Sequence, residues 1–166
     1  MAELSDVKRR TFLAWLSTTG ALGAGAVLTG CQQTPLVYEM VVSRDTGCPC
    51  CHIWTDMMQK TGRFNVSMLD APDLPAYKRT VGVPSGLGSC HTTLVDGFVV
   101  EGHVPAGDIL RMLQQRPAGL KGIAVPGMPR GSPGMEQPNG VIDAFEVIAF
   151  YGDGGQSVFA KHAGNQ

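Results

Sequence analysis

The sequence predicts an α/β protein with a central mixed sheet, on three observations. A β-branched run at residues 36–43 ends just before a CxxC motif, as is typical of a buried strand. Helical periodicity follows the motif at residues 51–60. Later, an Asp-Gly pair at residues 96–97 separates two apolar runs, which strongly favours a β-hairpin with a two-residue turn.

The segments between these signals complete the domain. Residues 64–69 alternate and predict a second strand, and residues 73–80 predict a short helix. The hairpin occupies residues 91–103, and residues 106–115 predict a third helix that begins after a proline. The order βαβαββα matches a thioredoxin-like domain, in which a loop bearing CxxC joins the first strand to the first helix.

The composition changes after residue 117. Residues 117–140 carry proline or glycine at nearly every second position, and we expect no regular structure there. Residues 145–151 and 156–160 then predict a terminal pair of strands. A loop of this length inside a compact domain is usually functional or disordered, so its residue types decide between the two.

Residues 1–30 predict a cleavable export signal, which leaves residues 31–166 as the working domain. The pair Arg9 and Arg10 precedes an apolar run and resembles a twin-arginine signal. The run ends in Leu-Thr-Gly-Cys31, which resembles a lipobox whose cysteine is acylated and tethers the chain to a membrane. The alternatives are an ordinary cleaved signal or an uncleaved anchor helix. The predicted location is the periplasm or cell envelope, where unprotected thiols oxidise.

The charge and hydropathy patterns exclude two further classes of protein. The formal net charge is −1 and there is no basic patch, so nucleic acid is not a predicted partner. No apolar run after the export signal approaches the ~20 residues that a membrane-spanning helix needs.

The stretch Cys48-Pro-Cys50-Cys51 places three of the five cysteines within four positions. Cys48 and Cys51 have CxxC spacing at a predicted helix start, where the helix N-terminus lowers the pKa of a thiol. Cys50 is surplus to a redox pair, and a third thiol beside a catalytic disulfide would promote reshuffling. Metal ligation explains three clustered thiolates more easily, since one sulfur can bridge two soft ions. The alternative is a CxxC disulfide with one buried cysteine.

Two later residues could join this cluster. In a thioredoxin-like layout the loop before the hairpin runs beside the CxxC loop, so Cys90 could complete a four-sulfur set; a disulfide to one of the other cysteines is the alternative. His103 ends the hairpin at the edge where the loops gather and is a candidate imidazole ligand. His91 is expected to face away from the site, because successive side chains of an extended segment point to opposite faces.

The triplet Pro-Gly-Met occurs twice in the proline-rich loop and supplies Met128 and Met135. Neither lies in a periodic segment that would bury it, although packing of the loop onto the core remains the alternative. A thioether is a soft, uncharged ligand suited to Cu(I), and it is not a normal zinc ligand. Four thiols, two thioethers and one imidazole exceed the needs of one tetrahedral ion. Copper, with more than one ion bound, fits this set of donors best.

Four motifs in this order resemble the CopG-type copper-resistance proteins, a periplasmic metal-binding family. They are Cys48-x-Cys50-Cys51-x-x-Trp54, Ser89-Cys90-His91-Thr92, Glu101-Gly102-His103-Val104-Pro105 and the segment 121–136, KGIAVPGMPRGSPGME. The resemblance covers residues 36–150, and Pro49 stands where glycine is expected. It implies a thioredoxin-like domain that binds copper through cysteine sulfurs, with a cluster of several ions included. The ligand set implied by motif match is Cys48, Cys50, Cys51 and Cys90, followed by His103, Met128 and Met135.

The sequence therefore predicts a copper-binding protein of the cell envelope, one that holds Cu(I) for copper tolerance by sequestration or by changing the redox state of the metal. Its predicted partners are copper ions and other envelope proteins that handle copper. One alternative is a thiol-disulfide oxidoreductase that uses Cys48 and Cys51. Another is a domain stabilised by a single zinc ion, whose removal would unfold the protein.

Overall fold

The computed structural model describes residues 35–165, so the predicted export signal and Cys31 lie outside the described residues. Within that range the chain forms seven strands, three α-helices and one short 3-10 helix. In chain order the elements are β1 (Tyr38–Arg44), α1 (Pro49–Lys60), β2 (Phe64–Asp70), α2 (Leu74–Val81), the 3-10 helix (Ser85–Leu87), β3 (His91–Val95), β4 (Phe98–Glu101), α3 (Ala106–Gln115), β5 (Leu120–Ala124), β6 (Phe145–Tyr151) and β7 (Gln156–His162). The predicted order βαβαββα is confirmed as far as α3.

The seven strands form one mixed sheet in the order β2-β1-β3-β4-β5-β6-β7. β1 is parallel to β2 and β4 is parallel to β5, while the other neighbouring pairs are antiparallel. The predicted central mixed sheet is therefore confirmed. Because β1 and β3 are antiparallel, Arg44 at the end of β1 pairs with His91 at the start of β3. The loop after β1 and the loop before β3 consequently meet at one edge of the sheet.

The β-hairpin returns the chain to this same edge. Asp96 and Gly97 have φ angles of 46° and 83°. A two-residue turn whose twist matches that of the flanking strands requires a positive φ at both of its residues. The predicted Asp-Gly hairpin is thus confirmed. Its register pairs Thr92 with Glu101, so β4 ends beside the start of β3. Residues 102–105 leave the sheet next to the loop that carries Cys90.

The sheet carries an apolar cluster on each face. Val99 and Val100 are both buried but belong to different clusters, because side chains alternate along a strand. α1 and α3 contribute Trp54 and Met112 to the larger cluster, and the 3-10 helix contributes Leu87 to the smaller one. The indole Nε1 of Trp54 donates to the backbone carbonyl of Val104 at 3.0 Å, which fixes α1 against the end of the hairpin. Within residues 35–165 no helix has both the length and the apolar character that spanning a membrane requires.

The prediction that residues 117–140 lack regular structure is wrong at Leu120–Ala124, which form β5. Ile123 is fully buried there, as a central strand requires. The high proline and glycine content of the whole segment concealed this short strand. Gly122 suits it, because a Cβ at this position would lie 2.1 Å from the carbonyl oxygen of Val99 on the neighbouring strand. The predicted terminal strands are confirmed as β6 and β7, with β7 two residues longer than predicted.

Candidate metal centre

The CxCC segment forms the start of α1. Cys48 is the N-cap residue, and Pro49 occupies the first helical turn, where its fixed φ suits the helix and its missing N–H is not needed. Cys50 and Cys51 follow within that turn; Cys51 is fully buried, while Cys48 and Cys50 are half-buried. The N-terminus of a helix carries a partial positive charge, which favours the thiolate form of a cysteine placed there.

Four cysteine sulfurs converge at this helix start. The Sγ of Cys50 lies 3.4 Å from that of Cys48 and 3.8 Å from that of Cys90. The Sγ of Cys51 lies 3.7 Å from that of Cys90. All four sulfurs fall within 4.8 Å of one another, which is a spacing that bound metal ions can bridge. The structure thus brings together the four cysteines that the sequence selected.

Two of these cysteines are bonded to each other. Cys48 and Cys51 form a disulfide, and Cys50 and Cys90 are free thiols. The expected set of four thiolates therefore differs from the form in the structure, in which only two sulfurs are thiols. This is the CxxC pairing that the sequence left open as an alternative. Reduction by two electrons would restore four free thiols.

The Cys90 thiol is protonated in this form. Burial, together with the nearby Cys50 thiol, raises the pKa of Cys90 to about 12. A metal ion that binds Cys90 must therefore displace its proton.

His103 points an imidazole nitrogen at Cys90. Its Nε2 lies 3.0 Å from the Sγ of Cys90, and its Nδ1 lies 2.8 Å from the carbonyl oxygen of Pro133. Since a carbonyl oxygen can only accept, Nδ1 carries the hydrogen and Nε2 presents its lone pair to the thiol. Burial lowers the pKa of His103, which keeps the ring neutral. A backbone acceptor on one nitrogen and a free lone pair on the other is the usual arrangement of a metal-binding histidine.

The expectation that His91 faces away from the site is wrong. Its Nδ1 lies 3.3 Å from the Sγ of Cys90, and its ring centroid lies 5.1 Å from that of His103 and 4.5 Å from that of Trp54. The alternation rule failed because Cys90 precedes β3 and has no extended strand conformation, so its side chain and that of His91 converge.

His91 therefore adds a third donor beside Cys90 and His103. Their donor atoms lie within 4.8 Å of one another, so these three residues form a second group that could hold a metal ion. Burial lowers the pKa of His91 to about 3, so the ring is neutral. Among the described residues, its Nε2 has no hydrogen-bond partner.

The two Pro-Gly-Met triplets contact the centre in different ways. Pro133 and Gly134 of the second triplet lie against His103 and the first turn of α1, and Met135 is half-buried. Gly127 of the first triplet donates its N–H to the carbonyl of Gly88 at 3.1 Å, in the loop before Cys90. The Met128 side chain, however, is 52% exposed. Both triplets thus attach the proline-rich loop to the centre, and Met135 is the better enclosed thioether.

Sequence reasoning missed Glu101, which holds the Cys90 loop in place. Its carboxylate is fully buried and accepts from Lys78 Nζ at 2.5 Å, the Ser89 backbone N–H at 2.6 Å and Thr92 Oγ1 at 2.7 Å. Ser89 and Thr92 flank Cys90 in the chain, so this one carboxylate fixes the segment on both sides of it. The sequence did contain a signal for this role, because the glutamate directly follows two apolar residues of a predicted strand. An acid buried at such a position rarely lacks a partner.

Comparison with known proteins gave two solved structures and one family. The solved structures described as "Copper resistance protein copG- Form 1" and "Copper resistance protein copG- Form 2" are 44% and 43% identical to the chain, each with a TM-score of 0.70. They cover 79% and 76% of the chain, and the chain covers 100% and 98% of them. The family described as "Protein of unknown function, DUF411" matches residues 87–135, which include Cys90, both imidazoles of the centre and both loop methionines. None of the curated proteins matches the chain.

Proposed function

Because the chain belongs to the CopG family of copper-resistance proteins, we propose that it binds Cu(I) through the sulfurs of Cys48, Cys50, Cys51 and Cys90. The observation that carries this proposal is the convergence of these four sulfurs within 4.8 Å. They come from two separate segments, since Cys50 and Cys90 are 40 residues apart. Clustered thiolates select soft ions such as Cu(I) over magnesium, calcium or manganese.

His103, Met135 and Met128 complete the coordination, and more than one copper ion is bound. The Nε2 lone pair of His103, which faces the Cys90 sulfur, and the half-buried position of Met135 support this assignment. Seven donors exceed the four positions of one tetrahedral ion, and bridging thiolates allow several ions to share one sulfur. The bound copper serves tolerance, by sequestration or by a change of its oxidation state.

The disulfide supports a role in copper redox conversion. Two Cu(II) ions can each take one electron from the Cys48 and Cys51 thiolates, which yields two Cu(I) ions and the Cys48–Cys51 disulfide. A separate two-electron donor must then reduce the disulfide before the next cycle. In the oxidised form Cys50 and Cys90 keep free thiols, so part of the sulfur set can still hold Cu(I).

The same disulfide favours one competing function, thiol-disulfide exchange with other proteins. Cys48 is half-buried and is the N-cap residue of α1, where the positive end of the helix favours the thiolate that attacks a disulfide. This function makes no use of Met128 or Met135, whereas copper binding does. Loss of copper affinity on replacing the two methionines would therefore separate the two functions.

The remaining assignments concern the fold type, the location and the partners. The order and strand pairing of residues 38–115 support a thioredoxin-like arrangement within the domain 31–166. We assign residues 1–30 to export and Cys31 to a lipid tether, so that the protein works in the periplasm beside other envelope proteins that handle copper. Fractionation of cells that express the wild-type chain or Cys31→Ser tests this. Tethering predicts that the substitution moves the protein from the membrane to the soluble fraction.

The experiment that tests copper binding compares the two redox forms of the same chain. Anaerobic competition with a Cu(I) chelator measures affinity before and after reduction of the disulfide. We expect reduction to tighten Cu(I) binding by at least ~100-fold, about 2.7 kcal/mol, because it supplies two further thiolates. Equal affinity in both forms would overturn the four-sulfur assignment. Tighter binding of zinc than of Cu(I) would favour the zinc-stabilised alternative.

A further inference from the structure

We propose that the end of the domain that carries Leu36 and Val37 rests on a lipid bilayer, so that the metal centre at the other end faces away from the membrane. The contact surface consists of Leu36, Val37, Lys60 and Arg63, which together form the basal patch. Its partner is a bilayer that contains anionic lipid. This inference rests on the lipid tether assigned to Cys31 and adds a contact surface and an orientation to it.

The tether is too short to hold the domain far from the lipid. Leu36 follows Cys31 by five positions. A fully extended chain advances at most ~3.6 Å per residue, so at most ~18 Å separates the Cα atoms of these two residues. The polar headgroup layer takes up roughly 5–8 Å of that distance. The part of the domain beside Leu36 is therefore the part held nearest to the bilayer.

The basal patch and the metal centre lie at opposite ends of β1. Leu36 and Val37 precede this seven-residue strand and Cys48 follows it, so about 20 Å separates the two ends. Helix α1 runs back over 12 residues, or about 18 Å, and ends at Lys60. Nε of Arg63 donates to the carbonyl oxygen of Leu36 at 3.1 Å, which places the start of β2 beside the start of β1. A bilayer under the basal patch thus leaves the centre open to the aqueous phase.

The apolar half of the basal patch suits the boundary between headgroups and acyl chains. Leu36 and Val37 are 63% and 51% exposed, and neither belongs to the two apolar clusters that the structure describes on the sheet. Moving an exposed aliphatic side chain out of water is favourable whether a protein core or lipid receives it. Surface-bound segments bury such side chains about 5–10 Å into this boundary.

The charged half of the basal patch suits anionic headgroups. Lys60 is exposed and Arg63 is half-buried, and neither forms an ion pair within residues 35–165. Glu39 is the acidic residue that follows the patch on β1, which leaves two cations against one carboxylate. Asp96, in the turn at the same end of the sheet, is paired with Arg116. Basic side chains at a membrane surface are attracted to anionic lipids.

Two exposed leucines allow the orientation to be measured. Leu36 lies in the basal patch, whereas Leu69 is 54% exposed at the other end of β2, where it pairs with Ser43. The lipidated chain with Leu36→Trp or Leu69→Trp is purified from membranes of expressing cells. It is then reconstituted into vesicles of phosphatidylethanolamine and phosphatidylglycerol whose upper acyl chains carry bromine, which quenches tryptophan fluorescence on contact. Trp54 is fully buried, so the unsubstituted chain supplies the background.

The comparison of the two positions decides the orientation. Tryptophan favours the membrane interface at either position, so a difference between the variants reports which end touches lipid. We expect brominated lipid to lower the fluorescence added by Leu36→Trp at least ~2-fold and that added by Leu69→Trp by less than about 10%. Equal quenching at both positions, or none at Leu36→Trp in a chain that floats with the vesicles, would overturn the orientation and leave the tether intact. A chain that does not float with the vesicles would overturn the tether, and the orientation with it.

Lys60→Glu tests the charged half of the basal patch. In the Leu36→Trp chain it should lower the quenching at least ~2-fold, because it repels anionic lipid. Lys161→Glu is the control, since it makes the same change of charge at a 75% exposed side chain on β7, the opposite edge strand of the sheet. It should leave the quenching unchanged. Equal effects of the two substitutions would show that net charge, and not the basal patch, attracts the lipid.

Discussion

Nδ1 of His103 donates a hydrogen bond to the carbonyl oxygen of Pro133, across 2.8 Å and 30 residues of sequence. This one contact sets the tautomer of the histidine at the centre and attaches the second Pro-Gly-Met triplet to the end of the hairpin. The conformation of the loop and the direction of the Nε2 lone pair are therefore linked. Changes in the loop backbone should alter metal binding even where they remove no donor atom.

Gly134 provides a direct test of the loop backbone. Its φ is +82°, and a Cβ there would lie 3.0 Å from the backbone nitrogen of Trp54 and 3.1 Å from the carbonyl oxygen of Cys50. We expect Gly134→Ala to lower the free energy of unfolding by about 2–4 kcal/mol, from backbone strain and overpacking together. Urea denaturation of the metal-free chain measures the loss.

Gly140→Ala is the matched control for that substitution. Gly140 has a similar φ of +71°, but a Cβ there would meet no atom within 4 Å. It should therefore lose only about 1 kcal/mol from the backbone conformation. Copper affinity should fall in Gly134→Ala and stay unchanged in Gly140→Ala. Equal losses of stability and affinity in the two variants would show that the contact with α1 does not matter.

The two loop methionines should contribute unequally to copper binding. Met135 is half-buried and directly follows Gly134, which packs against α1, whereas Met128 is 52% exposed. We expect Met135→Leu to weaken Cu(I) binding by about 10-fold, or about 1.4 kcal/mol, and Met128→Leu to weaken it less. Competition with a Cu(I) chelator measures both. Met57→Leu, a half-buried methionine of α1 that packs on the core, is the control. Unchanged affinity in the double variant Met128→Leu, Met135→Leu would remove the thioethers from the site.

Glu101 and Lys78 form a buried ion pair, so the effects of substituting them on the free energy of unfolding should be strongly non-additive. The Glu101 side chain is fully buried and that of Lys78 is 14% exposed. Glu101→Gln leaves the lysine without its counter-charge, and we expect a loss of about 3–5 kcal/mol in the free energy of unfolding. The double variant with Lys78→Met should recover part of this loss, since it also removes the unpaired charge. Additive losses in this double-mutant cycle would contradict a direct interaction.

The parts of the fold that the sequence predicts correctly are marked by residues within the element or directly beside it. Asp96 and Gly97 form the predicted turn because both accept a positive φ. Helix α3 has the predicted bounds, Ala106–Gln115, because Pro105 stands before it and Arg116, followed by a proline, ends it. The convergence of Cys90 with the CxCC segment was expected from the thioredoxin-like layout that the predicted order of elements matches.

The parts that escaped prediction depend on contacts between distant segments. β5 exists because β4 provides a partner strand, although Gly122 weakens its local propensity. His91 faces the centre because the chain bends at Cys90, which alternation within a strand does not anticipate. Glu101 is buried because Lys78 and the Cys90 loop supply its hydrogen bonds. The disulfide, finally, depends on redox state, so spacing alone left it open.

The most direct test of the copper assignment counts protected thiols. The fully reduced wild-type chain, starting at residue 32 so that Cys31 is absent, is titrated anaerobically with Cu(I), and its free thiols are counted by a colorimetric reagent after each addition. The account predicts that copper binding protects all four thiols of Cys48, Cys50, Cys51 and Cys90 together, with two or more ions bound per chain. Tight binding of copper with two or more of these thiols still reactive would contradict it, as would failure to bind copper at all.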